Sequence, residues 1–593
     1  MDRNSAIGLT LMAFVLLGYF YFFSPTPEPP KPKQITGTIS SPKDTLAQKN
    51  SAPAIDSATA KQFGDLGSFL IGKEEFTSIE NDVLNLTFSN HAIVSAVNLK
   101  TFKTYTQKPL FLSKDGNNQF SLIAMHNGKM IDLYQLHYQV ATTKDTDTTR
   151  IAFTANVSES AYIKHIYSIP SKGYQLGYRI ETKGVSLDGK DLSFAWIDNI
   201  PLVEKDIADV RNRTTINYYS AQGSFGGLSD GGPDNESITE PTKWVAIKQK
   251  FFITSIIAKN QFGAATLSTL MNAQDSSVVK RAEINLAIPS ATLSSGKADF
   301  TYYFGPNDYR ITKDVTDGFS RNMALGWPPV IWINKFVVMP VFIFLQGIIS
   351  NYGIVIMLLV LFMKLLLTPL TYKSMLAAAK MRLLKPEADV IDQKYPDNLP
   401  QAQQEKMKLY QQAGASPFSG CMPLLLQTPI LFSLFYLFPN SIDLRQKGFL
   451  WAEDLSTYDS ILNLPFSIPF YGSHVSLFVL LMTASQLIYS WQNNQIQSVQ
   501  GPMKSMGYVM PVMFMFILNS FSAGLSFYYF ISNLITFAQQ AIIKRFVDED
   551  KIMAIMNENR KNAALGKTKK SKFMAKLEDA MKASEEARKK GKK

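Results

Sequence analysis

The stretch that most limits what this chain can become is Asn351–Leu370, NYGIVIMLLVLFMKLLLTPL. It is an apolar run long enough to cross a bilayer, and it carries one charge, Lys364, inside it. The eighteen residues from Gly353 to Leu370 make about 27 Å of helix, close to the hydrocarbon thickness of a membrane, and Lys364 falls only about 4 Å past the midpoint. An ammonium at that depth is costly and needs a polar receiver. Two receivers are open: a hydrated cavity enclosed by neighbouring helices, or the nearer headgroups beyond Thr371, reached by snorkelling. The segment by itself does not choose between them.

The rest of the composition narrows the setting. Of 593 residues, 46% are hydrophobic and 12% aromatic, but the average hides two halves. Residues 24 to 330 are rich in Ser, Thr, Asn, Lys and Asp, whereas 328 to 543 are dominated by Phe, Leu, Ile, Met and Val. The net charge of +12 is concentrated in the tail 544–593, where 16 Lys and Arg face 8 Asp and Glu. A basic tail suits an anionic surface. Cys421 is the single cysteine, so no intramolecular disulfide forms and a thiolate metal site is disfavoured. The histidines (His91, His126, His137, His165, His474) have no ligand spacing, and phosphate-binding, zinc-protease and nucleophile-elbow motifs are absent from the sequence. Nothing in it points to a cofactor, a metal or enzymatic chemistry.

Taken in order, Ala6 to Phe23 is uncharged and ends in aromatics without a small-x-small site, so 1–23 reads as an uncleaved signal anchor and first span. Residues 24–70 read as a flexible Pro-, Ser- and Thr-rich linker. From about 71 to 320 the apolar residues recur every second position, as in Leu84, Leu86 and Phe88, which predicts one large all-β sandwich. Residues 327–349 are apolar but contain Lys335 and Pro340. If they lie flat as an interfacial amphipathic helix, the seven Lys and Arg of 371–420 and the tail fall inside, in keeping with the positive-inside tendency.

After the second span (350–370), residues 371–420 predict a cytoplasmic helical hairpin in which Leu384, Ala388, Ile391 and Tyr395 line one packing face. The third to sixth spans occupy 421–543, and a basic cytoplasmic tail occupies 544–593. The expected fold class is thus a multi-span α-helical membrane protein with six transmembrane helices and a large all-β sandwich domain. Every span after the anchor offers a polar side chain, among them Gln427, Asn519 and Asn533. Such residues are commonly interhelical hydrogen-bond partners. Together with Lys364 they favour a partly hydrated groove over a dry bundle.

K-L-L-L-T-P-L-T at 364–371, K-M-R-L-L-K-P at 380–386, G-C-M-P-L-L-L-Q-T-P-I at 420–430 and G-L-S-F-Y-Y-F-I-S-N-L at 524–534 together resemble the YidC family of membrane protein insertases, in its bacterial form with a large periplasmic domain. KWVAIKQKFF at 243–252 and YYFGPNDY at 302–309 add to the likeness. The resemblance implies an inner-membrane protein with both termini cytoplasmic and a periplasmic β-supersandwich similar to sugar-mutarotase folds. It also implies a hydrophilic groove open to the cytoplasm and to lipid and closed on the periplasmic side, with Lys364 as its positive charge and Tyr528 and Tyr529 as substrate-contacting aromatics; Gln427, Asn519 and Asn533 are the polar side chains available to line it. The implied partners are nascent membrane proteins, the phospholipid bilayer and the Sec translocon, while the charge of the basic tail and hairpin predicts contact with the RNA of the ribosome or with anionic lipid. Lys364 stands where the family usually has arginine, and Ser522 where it has proline; a lysine keeps the charge but loses the fork of donors. The rival readings are a solute or ion transporter with an intramembrane charged site, which predicts internal repeats, and an intramembrane hydrolase, for which His474 has no evident partner.

Overall fold

The computed structural model describes residues 60–114, 116–296, 298–396, 398–415, 422–496 and 502–565. The expected signal anchor, most of the linker, Cys421 and the tail from 566 lie outside the described residues. The chain divides into a β unit that ends at Ala324 and takes in Asn440–Gln446, and a helical unit containing Leu325–Pro439 and the residues from Lys447 onward.

The period-two pattern of the β unit becomes antiparallel strands in sheets of nine, six and four. Strand β1 (Leu192–Pro201) turns Leu192, Phe194, Trp196 and Ile200 inward and pairs with β2 (Val278–Ile288), Phe194 opposite Leu286 and Trp196 opposite Ile284. Alternation of this kind gives each sheet one apolar face, and a single buried cluster draws side chains from all three. Each large side chain so buried contributes about 1.5 to 3 kcal/mol. The described α-helices in this unit are single turns such as Ile207–Arg211, as the missing helical pattern predicts. Lys61–Leu70, expected at the end of a flexible linker, instead forms a short helix whose Leu66 and Leu70 enter the core; Phe63, Leu66 and Phe69 give it an apolar side to bury.

Asp198 sits in the same inward row of β1, fully buried, with neither carboxyl oxygen hydrogen-bonded. Burial in apolar surroundings pushes its pKa up to about 8. Asn440–Gln446 is held in the β unit by polar contacts: Arg445 Nε donates to Glu204 Oε1 at 2.7 Å, and Arg310 Nη2 to Asp443 Oδ1 at 2.9 Å.

The helical unit begins with α1 (Pro328–Gln346), started by two prolines and widened into a π-turn at Asn334–Val338 just before Pro340, whose ring nitrogen cannot donate. Val330, Asn334, Val338 and Phe342 are buried at i, i+4 spacing, while Trp332, Phe336 and Phe344 form an exposed stripe. The outer face of this helix is therefore apolar. By length and composition it is one of two helices among the described residues apolar enough to cross a membrane; the other is α2 (Tyr352–Leu383).

Helix α2 starts at Asn351, whose Oδ1 accepts from the backbone N–H of Gly353 and Ile354. It runs through Pro369 and beyond the expected end at 370, so the first arm of the hairpin is partly the end of α2. Then follow α3 (Lys385–Lys394), α4 (Leu399–Gln412), α5 (Met422–Asn440), α6 (Leu477–Ile496), α7 (Pro502–Leu518), α8 (Ala523–Phe546) and α9 (Glu549–Ala564). Of the expected face, Leu384 and Ala388 share a core with Tyr410 across the hairpin, Ile391 and Tyr395 are not part of it, and Ile552 and Met556 of α9 join it. The beginning of the tail is thus a helix folded back on the hairpin, tied by Arg560 Nη2 to both carboxylate oxygens of Glu387 at 2.7 and 2.9 Å and by an Arg382–Glu549 ion pair.

Candidate functional site

Lys364 is the thirteenth residue of α2 and only 6% exposed. Its Nζ donates to Thr536 Oγ1 of α8 at 2.8 Å, and that hydroxyl donates onward to Ser532 O at 2.7 Å. One turn along, Thr368 Oγ1 donates back to Lys364 O at 2.9 Å and accepts from Gln539 Nε2 at 2.8 Å. The contacts advance together, Lys364 to Thr368 against Thr536 to Gln539, so α2 and α8 run in the same direction. Their C-terminal ends accordingly both lead to the cluster where the hairpin and α9 pack.

An ammonium carries three donors, and Thr536 takes one of them. Among the described residues no carboxylate pairs with it. Beside it lies a cavity of about 10 Å3, about the room one water needs, lined by Lys364, Gln427, Tyr528 and the apolar Val360, Met363 and Ile430. Helices α2, α5 and α8 thus bring a cation, a carboxamide and a phenol to one buried point. The arrangement has spare positive charge and spare donors, and suits an acidic or polar group better than an apolar one.

The other expected groove residues fare differently. Tyr529 is half-buried and does not line the cavity. Asn533 is buried and donates from Nδ2 to Ser485 Oγ at 2.9 Å, a bond that ties α8 to α6. Asn519 is fully buried at the end of α7, where its Nδ2 donates to the carbonyls of Tyr471 (2.8 Å) and His474 (2.7 Å) and its Oδ1 accepts from Ser476 N (3.1 Å). Its amide is fully engaged in holding the segment before α6. Thr536 is not among the expected groove residues, and Thr368 enters the expectations only as part of the 364–371 motif. The signal that finds Thr536 is spacing: Tyr528, Ser532, Thr536 and Gln539 follow i, i+4, i+8, i+11 and make one polar stripe along α8.

A profile described as "60Kd inner membrane protein" matches residues 344–550, and one described as "YidC periplasmic domain" matches residues 77–339. The chain is 43% identical over 610 residues to a protein named membrane protein insertase YidC from Amoebophilus asiaticus, covering 100% of both chains. It is 42% identical over 611 residues to the protein of that name from Cytophaga hutchinsonii, covering 99% of this chain and 98% of the other. The protein of that name from Parabacteroides distasonis is 34% identical over 631 residues, with 99% and 98% covered.

Proposed function

The chain belongs to the YidC family of membrane protein insertases, and from that premise we propose that Lys364 is the working charge of its insertion site. The protein is an inner-membrane insertase with a periplasmic β-sandwich domain, and it acts on nascent membrane proteins. The observation that carries the finer reading is the buried ammonium with one hydrogen-bond partner among the described residues, next to Gln427 and Tyr528.

On this reading the polar or acidic segment of a nascent chain enters between α2, α5 and α8 and takes up the donors that Lys364 has free. That exchange replaces part of the segment's lost hydration and lowers the barrier to crossing. The apolar segment then moves out against lipid, and its transfer from water drives the step without nucleotide or covalent chemistry. Because the cavity holds only about one water, the helices separate to admit a chain. Lys364, Gln427 and Tyr528 are assigned to contact, whereas Asn533 and Asn519 are assigned to holding the helices, and Tyr529 to the rim of the site.

The finer topology is part of the proposal: six spans including the N-terminal anchor, both termini cytoplasmic, and α1 along the periplasmic interface. Parallel α2 and α8, with the hairpin and α9 in one core, support a common side for the hairpin and the tail. For ribosome contact the charge favours residues 566–593, which hold 11 Lys and Arg against 4 Asp and Glu. Contact with the Sec translocon follows from the family alone. The test is rescue of depleted cells with Lys364→Ala, Lys364→Arg and Lys364→Glu, scored on short single-span substrates. Arginine should restore insertion, alanine should lose most insertion of substrates with acidic translocated segments, and glutamate should lose more. Full insertion by the alanine variant would end the charged-site reading.

A further inference from the structure

Between α5 and α6 the chain forms a two-stranded hairpin, β3 (Leu462–Ile468) and β4 (Gly472–Val475), paired Leu462 with Val475 and Ile468 with Gly472. A free hairpin of this size is marginal in water. This one is held at its base. The Asn519 amide grips the carbonyls of Tyr471 and His474, His474 Nε2 lies 2.9 Å from Asn519 O, and the Tyr458 ring stacks on His474 at 3.8 Å. The Tyr471 ring meets Phe516 of α7 edge-on at 5.5 Å. Strand β4 is therefore anchored to the bundle, and β3 projects from it.

What projects is apolar. Ile461, Leu462, Phe466 and Phe470 are 50%, 56%, 61% and 62% exposed. From Ser460 to Met503 the sequence has no Asp, Glu, Lys or Arg. A water-facing edge strand is ordinarily blunted by charge; here β3 carries only Pro465, with Pro469 just beyond its end. The hairpin runs directly into α6 at Ser476 and Leu477, whose N-terminus is capped by Asp459 Oδ2. It stands at the end of the bundle where α2 begins, because Phe449 packs on Gly353 and the start of α8 donates from Ala523 N and Gly524 N to Thr457 O and Leu455 O.

We propose that this hairpin is a bilayer anchor, its Ile461, Leu462, Phe466 and Phe470 side chains seated among the lipid headgroups and upper acyl chains at the end of the bundle opposite the α3–α4 hairpin. The occupant is lipid because the patch is continuous at its base with α6, a span in the topology proposed above on which this inference rests, and lacks any charge that a soluble partner's rim would pair with. The unpaired backbone of β3 sets the depth: it needs water or headgroups, so the strand lies in the interface and only the side chains reach the hydrocarbon. Asn519, by gripping β4, holds the base of the hairpin on the bundle.

The test uses the full-length protein with Cys421→Ser, which removes its one cysteine, and a single Phe466→Cys or Phe470→Cys carrying an environment-sensitive fluorophore. Met130→Cys, 72% exposed on the β unit, is the aqueous reference. Each protein is reconstituted in phosphatidylethanolamine and phosphatidylglycerol vesicles, with iodide on both sides or with spin-labelled acyl chains. Sites 466 and 470 should emit at shorter wavelength than 130, lose most emission to the spin-labelled lipid and little to iodide, with the reverse at 130. Iodide quenching at 466 equal to that at 130 would overturn the proposal by placing the hairpin in water. Protection from both quenchers would also overturn it, by showing that protein covers the tip.

Discussion

Lys364 Nζ lies 2.8 Å from Thr536 Oγ1, so the one charge of the second span is met by a hydroxyl 172 residues further along the chain. Thr536 is the hinge of the polar stripe on α8, since its hydroxyl also bonds the Ser532 carbonyl. Thr536→Val keeps the shape and removes the acceptor, leaving a buried ammonium without a protein partner. The variant should be destabilised by about 1 to 3 kcal/mol, and Thr536→Ser should recover most of that. Thermal unfolding of the detergent-solubilised protein measures both; a valine variant that melts with the wild type shows that the bond contributes nothing.

Asn519 separates two roles that one sequence position could hold. As a groove residue its loss would lower insertion and leave stability alone. The structure has its amide satisfying two carbonyls and one N–H of the segment 471–476. Asn519→Ala should therefore lower stability by about 2 to 4 kcal/mol, because buried backbone groups lose their partners. Insertion should fall only in step with the folded fraction, read by comparing melting temperature and insertion at two temperatures.

The contrast between Lys364 and Asn519 shows what was legible in the sequence. Period-two strands, the helical hairpin and the charged second span follow from local pattern, because burial on one face writes itself into spacing. Lys364, Gln427 and Tyr528 do converge, but the convergence rests on three helices whose packing no local pattern encodes. Asn519 looks identical to a groove residue in sequence, since a polar side chain in an apolar run signals that it has a partner and not which one. Helix α9 was hidden for a different reason: its apolar positions, Ile552 and Met556, are few and sit among charges, so the segment reads as tail until the hairpin supplies its other half.

That helix can be tested through its ion pairs. Arg560 holds Glu387 from across the hairpin, with both side chains partly exposed. Glu387→Arg should weaken docking of α9 by about 0.3 to 1 kcal/mol, less at high salt, and the double swap Glu387→Arg with Arg560→Glu should restore it. Hydrogen exchange of the α4 amides reports the change; equal protection in all three proteins would mean that packing of Ile552 and Met556 alone holds the helix.

Ser522 stands before α8 with φ −59°, an angle proline adopts freely, and its buried hydroxyl oxygen has no hydrogen-bond partner. The substitution Ser522→Pro should raise stability by about 0.4 to 1 kcal/mol, by restricting the unfolded chain and removing an unsatisfied polar atom. A lowered melting temperature would mean that Phe521 cannot adopt the extended backbone that a following proline requires.

Asp198 gives the β unit a pH dependence of predictable sign. Its pKa, about 8 in the folded chain, lies above the ordinary carboxyl value of 3.8, so between those values the folded state holds a proton that the unfolded state has released. Stability is then fully present below the unfolded value and is lost as pH rises towards 8, by at most about 1.4 kcal/mol per pH unit. Above 8 both states are ionised and the loss stops growing. Asp198→Asn cannot ionise and should flatten this slope, so its stability advantage over wild type should grow steadily from pH 5 to pH 8. Exchange protection of the β1 amides in the full-length protein, corrected for intrinsic rate at pH 5, 6, 7 and 8, measures the effect. Equal slopes in the two proteins would mean that Asp198 is ionised in the fold and paired by groups that rearrange to meet it.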